Sequence, residues 1–172
     1  MAKGGSDVLQ VGIWEQGEGI FRAVRQAIQA GRPPFPGLVS GRWLGEFSTM
    51  RLDLLAVSPA AAEAERTVGS AKCRCLLLPG EAGVLARQIS AEYAVSYGTS
   101  PKDTLTFSSL EGDQISVALQ RELVTLGGAV LDQQELVLPF PTGLSPMPYL
   151  AAMGVLLLIG VPPEELMDAS SS

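Results

Sequence analysis

Four apolar runs, each passed on to a turn and then to a helical stretch, constrain this chain more than any other feature. Val8-Leu-Gln-Val-Gly-Ile-Trp14 reads as a strand. Gly17-Glu18-Gly19 turns it into residues Ile20 to Ala30. There the apolar positions 20, 21, 24, 27 and 28 form one helical stripe, which ends at Gly31 and Pro33-Pro34. Leu52 to Val57 is the second strand. Ser58 is placed to cap, and Pro59 to begin, a helix running through Ala60 to about Val68. Cys73 to Leu78 is almost wholly apolar, which suits a central parallel strand covered on both faces. Pro79-Gly80 leads into a helix from Glu81 to Ile89, and Tyr93 to Tyr97 is the fourth strand. Residues 32–50 read mainly as loop, with a short strand near Gly37 to Ser40. Strands separated by helices imply a parallel sheet with right-handed crossovers.

After residue 102 the pattern changes. Asp103 to Phe107, Gln114 to Leu119, Leu123 to Leu126 and Glu135 to Phe140 are β-like, and turn residues separate them. Ile115, Val117 and Leu119 alternate with polar neighbours, as in a half-buried antiparallel strand. Pro148 to Ile159 is an apolar helix, and Val161-Pro-Pro-Glu-Glu-Leu begins a shorter one. The expected fold is a single α/β domain over 1–172. It is a Rossmann-like three-layer domain with a mainly parallel sheet and an attached antiparallel β-meander. Residues 1–102 supply βα units, 103–141 the meander and 146–168 the C-terminal helices.

Composition narrows the function classes. The net charge is −6, from 12 Lys and Arg against 18 Asp and Glu. Such a chain has no general attraction for phosphate backbones or anionic lipid, and there is no basic run, so neither nucleic acid nor a membrane is expected as partner. The run Tyr149 to Val161 is too short to span a bilayer, which takes roughly 20 residues, and reads as a buried helix. The N-terminus lacks the apolar region of a signal peptide, so a cytoplasmic location is expected. There is no histidine, which removes His-dependent triads, bases and metal sites together. Cys73 and Cys75 would share one strand face and read as core thiols, since two thiolates alone make an incomplete zinc site. No cofactor or metal is expected.

The second half resembles a known family. Cys75-Leu-Leu-Leu-Pro-Gly-Glu-Ala-Gly-Val-Leu, then Tyr93-Ala-Val-Ser-Tyr-Gly-Thr-Ser-Pro-Lys-Asp-Thr-Leu-Thr, is similar to the closing part of the central domain of Mur ligases, which are ATP-dependent amide ligases. Leu150-Ala-Ala-Met-Gly-Val-Leu-Leu-Leu-Ile-Gly-Val-Pro-Pro-Glu-Glu-Leu resembles the L-A-A-x-x-A-x-x-x-G-V-x-x-E-x-I segment of the same family. The likeness covers about residues 72–168, in order.

Laid on that family, Val11 to Gly19 stands where V-T-G-T-N-G-K-T forms the phosphate loop. Such a loop cradles phosphate with backbone N–H groups while Lys neutralises charge and Thr holds Mg²⁺. Here Glu18 takes the lysine position and Gly19 the threonine position. Glu15 and Glu18 would repel a triphosphate. Like charges about 4 Å apart interact at roughly 4 kcal/mol at an effective dielectric of about 20. The family's N-A-D-D turn is Leu78-Pro79-Gly80-Glu81, and its H-N pair is replaced around Leu144-Ser145. The resemblance therefore implies the fold with a degenerate phosphate loop.

The candidate ligand-binding residues are Gly17, Glu18, Gly19, Ser58, Pro79, Gly80, Gly98, Thr99 and Ser100. They fall in turns at one sheet edge, where parallel α/β sheets place their ligands. The simpler reading of each is an ordinary turn residue. Lys102 and Asp103 could add charge there, and Arg22 and Arg25 could offset the carboxylates. No catalytic residue is assigned. The expected function is a non-catalytic Mur-ligase-like module that binds a partner protein or small ligand, linked to cell-wall metabolism through the resemblance. The alternative is a subunit of an ATP-dependent carboxylate–amine ligase completed by another chain. In the complete family a further domain follows the C-terminal helix, so a second copy could cover that helix and form a homodimer.

Overall fold

The apolar runs form strands where both their faces can be covered. The computed structural model describes residues 8–64, 69–141 and 143–168. The strands of its main sheet are β1 (Gln10–Trp14), β2 (Gly37–Gly41), β3 (Leu52–Val57), β4 (Ala71–Pro79), β5 (Ile89–Gly98), β6 (Leu105–Glu111), β7 (Gln114–Leu119) and β10 (Gln134–Pro139). Their order across the sheet is β10-β7-β6-β5-β4-β3-β1-β2. The strands from β2 to β6 are mutually parallel. The meander is not a separate layer. It extends the same sheet, because β6 pairs parallel with β5 before β7 and β10 run antiparallel. A small ribbon of β8 (Leu123–Val124) and β9 (Val130–Leu131) stands apart from it, so Leu123 to Leu126 does not belong to the main meander.

The helices are α1 (Ile20–Gln29), α2 (Pro59–Ala62), α3 (Pro146–Ile159) and α4 (Pro163–Asp168). On one face Val11, Ile13, Leu54, Ala56 and Leu77 pack with α1 and α3. Helix α3 is apolar all round because it is enclosed all round. Every residue from Pro148 to Leu158 is buried, and Gly154 lies against Leu77 and Leu105. The helix is thus covered along its length by its own chain, as its reading as a buried helix expects. Among the described residues, no helix is long and apolar enough to cross a membrane.

The other face carries Trp14, Leu55, Val57, Leu76 and Leu78, packed under Phe47 and Leu85. Its cover is thinner than the sequence suggests. The helix expected from Ala60 to Val68 ends after Ala62; Glu63 and Ala64 have already left it, and residues 65–68 lie outside the described part. Only Ala61 of that helix is buried, so little apolar area supports alanine's propensity. The helix expected from Glu81 to Ile89 is a 3-10 segment, Gly80–Arg87, broken at Ala82, and Ile89 already belongs to β5. Two glycines weaken it, and Val84 points to solvent rather than to the core. A second 3-10 turn, Leu44–Phe47, stands where loop was expected.

The two cysteines are buried but do not share a face. Cys73 packs with Leu55 and Leu76, and Cys75 with Leu54 and Leu77. Their partners on β3, Leu52 and Leu54, divide between the same two cores, so both strands switch face together. Burial pushes the Cys73 thiol up to about 11 and the Cys75 thiol up to about 12. These thiols stay protonated and inert near neutral pH.

Candidate functional site

Because β1, β3, β4 and β5 run parallel, the turns that follow them meet at one edge of the sheet. This edge carries all the candidate residues. The Ser58 backbone N–H donates to the Trp14 carbonyl at 2.9 Å, which joins the first two turns. The Tyr97 hydroxyl, at the end of β5, donates to the Val57 carbonyl at 2.6 Å, which joins the second to the fourth. Ser58 is fully buried, and its Oγ caps α2 by accepting from Ala61 N–H at 3.0 Å. Thr99 and Ser100 are exposed at the rim.

The first turn is built around two carboxylates. Gly17 and Gly19 have φ of 85° and 92°, a left-handed conformation that side chains other than glycine's rarely tolerate. The turn brings Glu15 back over the start of α1. Its Oε1 accepts from Ile20 N–H and its Oε2 from Phe21 N–H, each at 2.9 Å. Glu15 is only 8% exposed. Glu18 does the same for its neighbours. Its Oε1 accepts from Gln16 N–H and its Oε2 from Ala60 N–H at the start of α2, each at 2.9 Å. Helix N-termini leave several N–H groups unsatisfied and favour negative charge. Here the chain's own carboxylates answer that demand at both helices. Burial, and then the charge of Glu18, pushes the Tyr97 phenol well above its usual range.

The third and fourth turns are joined by Asp103. Its buried carboxylate lies against Gly80 and Gly98, where an added Cβ would come within 1.9 and 2.4 Å of its oxygens. Asp103 Oδ2 accepts from Ser100 N–H at 3.1 Å. Asp103 is thus a buried strut between turns, whereas Lys102 is exposed. Arg25 lies over the Phe21 ring at 5.9 Å. Among the described residues, neither Arg22 nor Arg25 forms an ion pair with the turn's carboxylates. Trp14 is core, its Nε1 donating to the Arg42 carbonyl at 3.1 Å, while Trp43 is 67% exposed nearby in sequence. No group of three or more Cys, Asp or Glu suited to a metal ion occurs among the described residues.

The sheet order, the extension of the sheet by the meander and the C-terminal helix pair have counterparts among known structures. The fold is Mur-ligase-like. The chain is similar to the UDP-N-acetylmuramoylalanyl-D-glutamyl-2,6-diaminopimelate–D-alanyl-D-alanyl ligase from Acinetobacter baumannii, with 9% identity and a TM-score of 0.55. That match covers 95% of this chain and 45% of the ligase. A second structure, MurF from Acinetobacter baumannii, matches at 9% identity and a TM-score of 0.54, over 94% of this chain and 44% of that one. The chain therefore spans less than half the length of these ligases. No protein-family model matches it, and no curated protein does. At this identity the likeness speaks for the fold, and function has to be argued from the site.

The residues that sequence reasoning undervalued are Glu15, Tyr97 and Asp103. By its charge Glu15 suggests only repulsion of phosphate, yet it anchors α1. A signal existed in part: an acidic residue shortly before a helix start is a common way to satisfy its N–H groups. Tyr97 gave no such signal, because its acceptor lies on another strand, 40 residues away.

Proposed function

We propose that this chain is a non-catalytic Mur-ligase-like module that binds a partner protein or a small ligand, and that its phosphate loop has been converted into a structural anchor. One observation carries the reading. The N–H groups of Ile20, Phe21 and Ala60, which a phosphate at this edge would need, already donate to Glu15 and Glu18. A nucleotide would have to displace two carboxylates and then bind beside them without a lysine in the turn. The alternative, a ligase subunit completed by another chain, faces the same obstacle, since an added chain does not free these amides. A link to cell-wall metabolism and a cytoplasmic location belong to the same proposal and draw on the names of the similar ligases.

Calorimetric titration with ATP, with and without Mg²⁺, tests the reading. No saturable binding at the glycine turn is expected. Micromolar affinity that Glu15→Gln or Glu18→Gln strengthens would overturn it, because the turn would then be a nucleotide site with its own carboxylates as weak competitors.

A further inference from the structure

At the opposite, amino-terminal edge of the sheet lies a cavity of about 580 Å³ that the reading above does not use. It is formed where β1, β3, β4 and β5 begin. Leu52, Cys73 and Ala91 contribute apolar lining, and Arg51, Lys72 and Arg74 bring positive charge. Three of the 12 Lys and Arg in an acidic chain thus converge on one cavity.

The acids around it are fewer. Asp53 is engaged, accepting from Gln10 N–H at 2.8 Å and pairing with Arg74 at 3.2 Å. The other guanidinium nitrogen of Arg74 donates to the Leu126 carbonyl at 3.0 Å, so this side chain is held in place. Glu92 also lines the cavity and partly offsets the cations. Arg51 and Lys72 are exposed and form no ion pair among the described residues. The lining as a whole carries three positive and two negative side chains, with the one ion pair already neutral.

We infer that this cavity binds a small organic anion, with its carboxylate or phosphate group between Arg51 and Lys72 and its apolar body over Leu52, Cys73 and Ala91. The volume lies in the range of small-molecule sites, about 300–1,000 Å³, and such sites pair apolar walls with a few placed polar groups. Arg suits a planar carboxylate or a phosphate in two-point contact, while Lys adds a point charge. A largely solvated lining makes the binding salt-sensitive.

The test is calorimetric titration of the full chain at low salt with two probes, benzoate for the carboxylate class and phenyl phosphate for the phosphate class. Saturable binding of at least one is expected, and the two arms identify the headgroup. The double variant Arg51→Ala/Lys72→Ala should weaken it at least about tenfold. The variant Arg22→Ala/Arg25→Ala, on α1, should leave it unchanged. Absence of saturable binding of both probes up to about 10 mM, or equal affinity in the Arg51/Lys72 double variant, would overturn the inference. The same double variant separates the two edges in the ATP experiment. ATP binding lost with Arg51 and Lys72 belongs to this cavity, and binding that survives and is strengthened by Glu15→Gln or Glu18→Gln belongs to the glycine turn.

Discussion

The two edges of the sheet treat charge in opposite ways. At the carboxyl edge, where parallel α/β sheets place ligands, the backbone donors are taken by Glu15 and Glu18. The turns there are tied together by Tyr97 and Asp103. At the amino edge Arg51 and Lys72 stand around a cavity without an ion-pair partner among the described residues. At the first edge the helix-start amides and the buried carboxylates are engaged in holding the fold. The second still has charge to offer a ligand. Where local donors are already satisfied, the fold's usual site position has to be weighed against the groups that remain open.

This contrast makes the carboxyl edge costly to mutate and the amino edge cheap. The largest effect is expected for Glu15→Ala. It strips a buried, doubly hydrogen-bonded carboxylate from the start of α1, and charge-assisted bonds of this kind place the loss at about 3 kcal/mol. The midpoint of urea unfolding measures it. Next comes Gly80→Ala, whose Cβ would meet the Asp103 carboxylate at 1.9 Å. A loss of about 2 kcal/mol is expected from forced repacking. Gly83→Ala, three residues on and with nothing within 4 Å, is the paired control and should not lose stability. Tyr97→Phe removes the hydroxyl that joins β5 to Val57 and should cost about 1 kcal/mol in the same assay. The smallest effect belongs to Arg51→Ala/Lys72→Ala, expected within about 0.5 kcal/mol of the parent. If that pair proved as destabilising as Glu15→Ala, the amino edge would be structural too and the contrast would collapse.

The parallel strands were legible because they are buried on both faces. Leu52 to Val57 appears as a strand with the boundaries its apolar run suggests. Helix α1 was legible from its stripe, and α3 from an apolar length that only enclosure can satisfy. The short helical covers of the second face were not. Alanine-rich and glycine-containing stretches such as 59–64 and 80–87 have propensity signals that packing overrides, because they bury one or two side chains each. The face switch between Cys73 and Cys75 was equally hidden, since strand periodicity assumes that alternation continues unbroken.

The candidate site divides along the same line. The sequence alone determined which residues would reach the carboxyl edge, because strand direction and turn position follow from local pattern. It also placed two glutamates, Glu15 and Glu18, around the glycine turn. What those glutamates do was decided only in three dimensions. Glu18 meets Ala60, 42 residues away, and Asp103 fits against two glycines from separate turns. A carboxylate's role depends on which donors the fold brings within 3 Å of it. Local pattern carries the charge of a side chain but not the identity of the groups it will face.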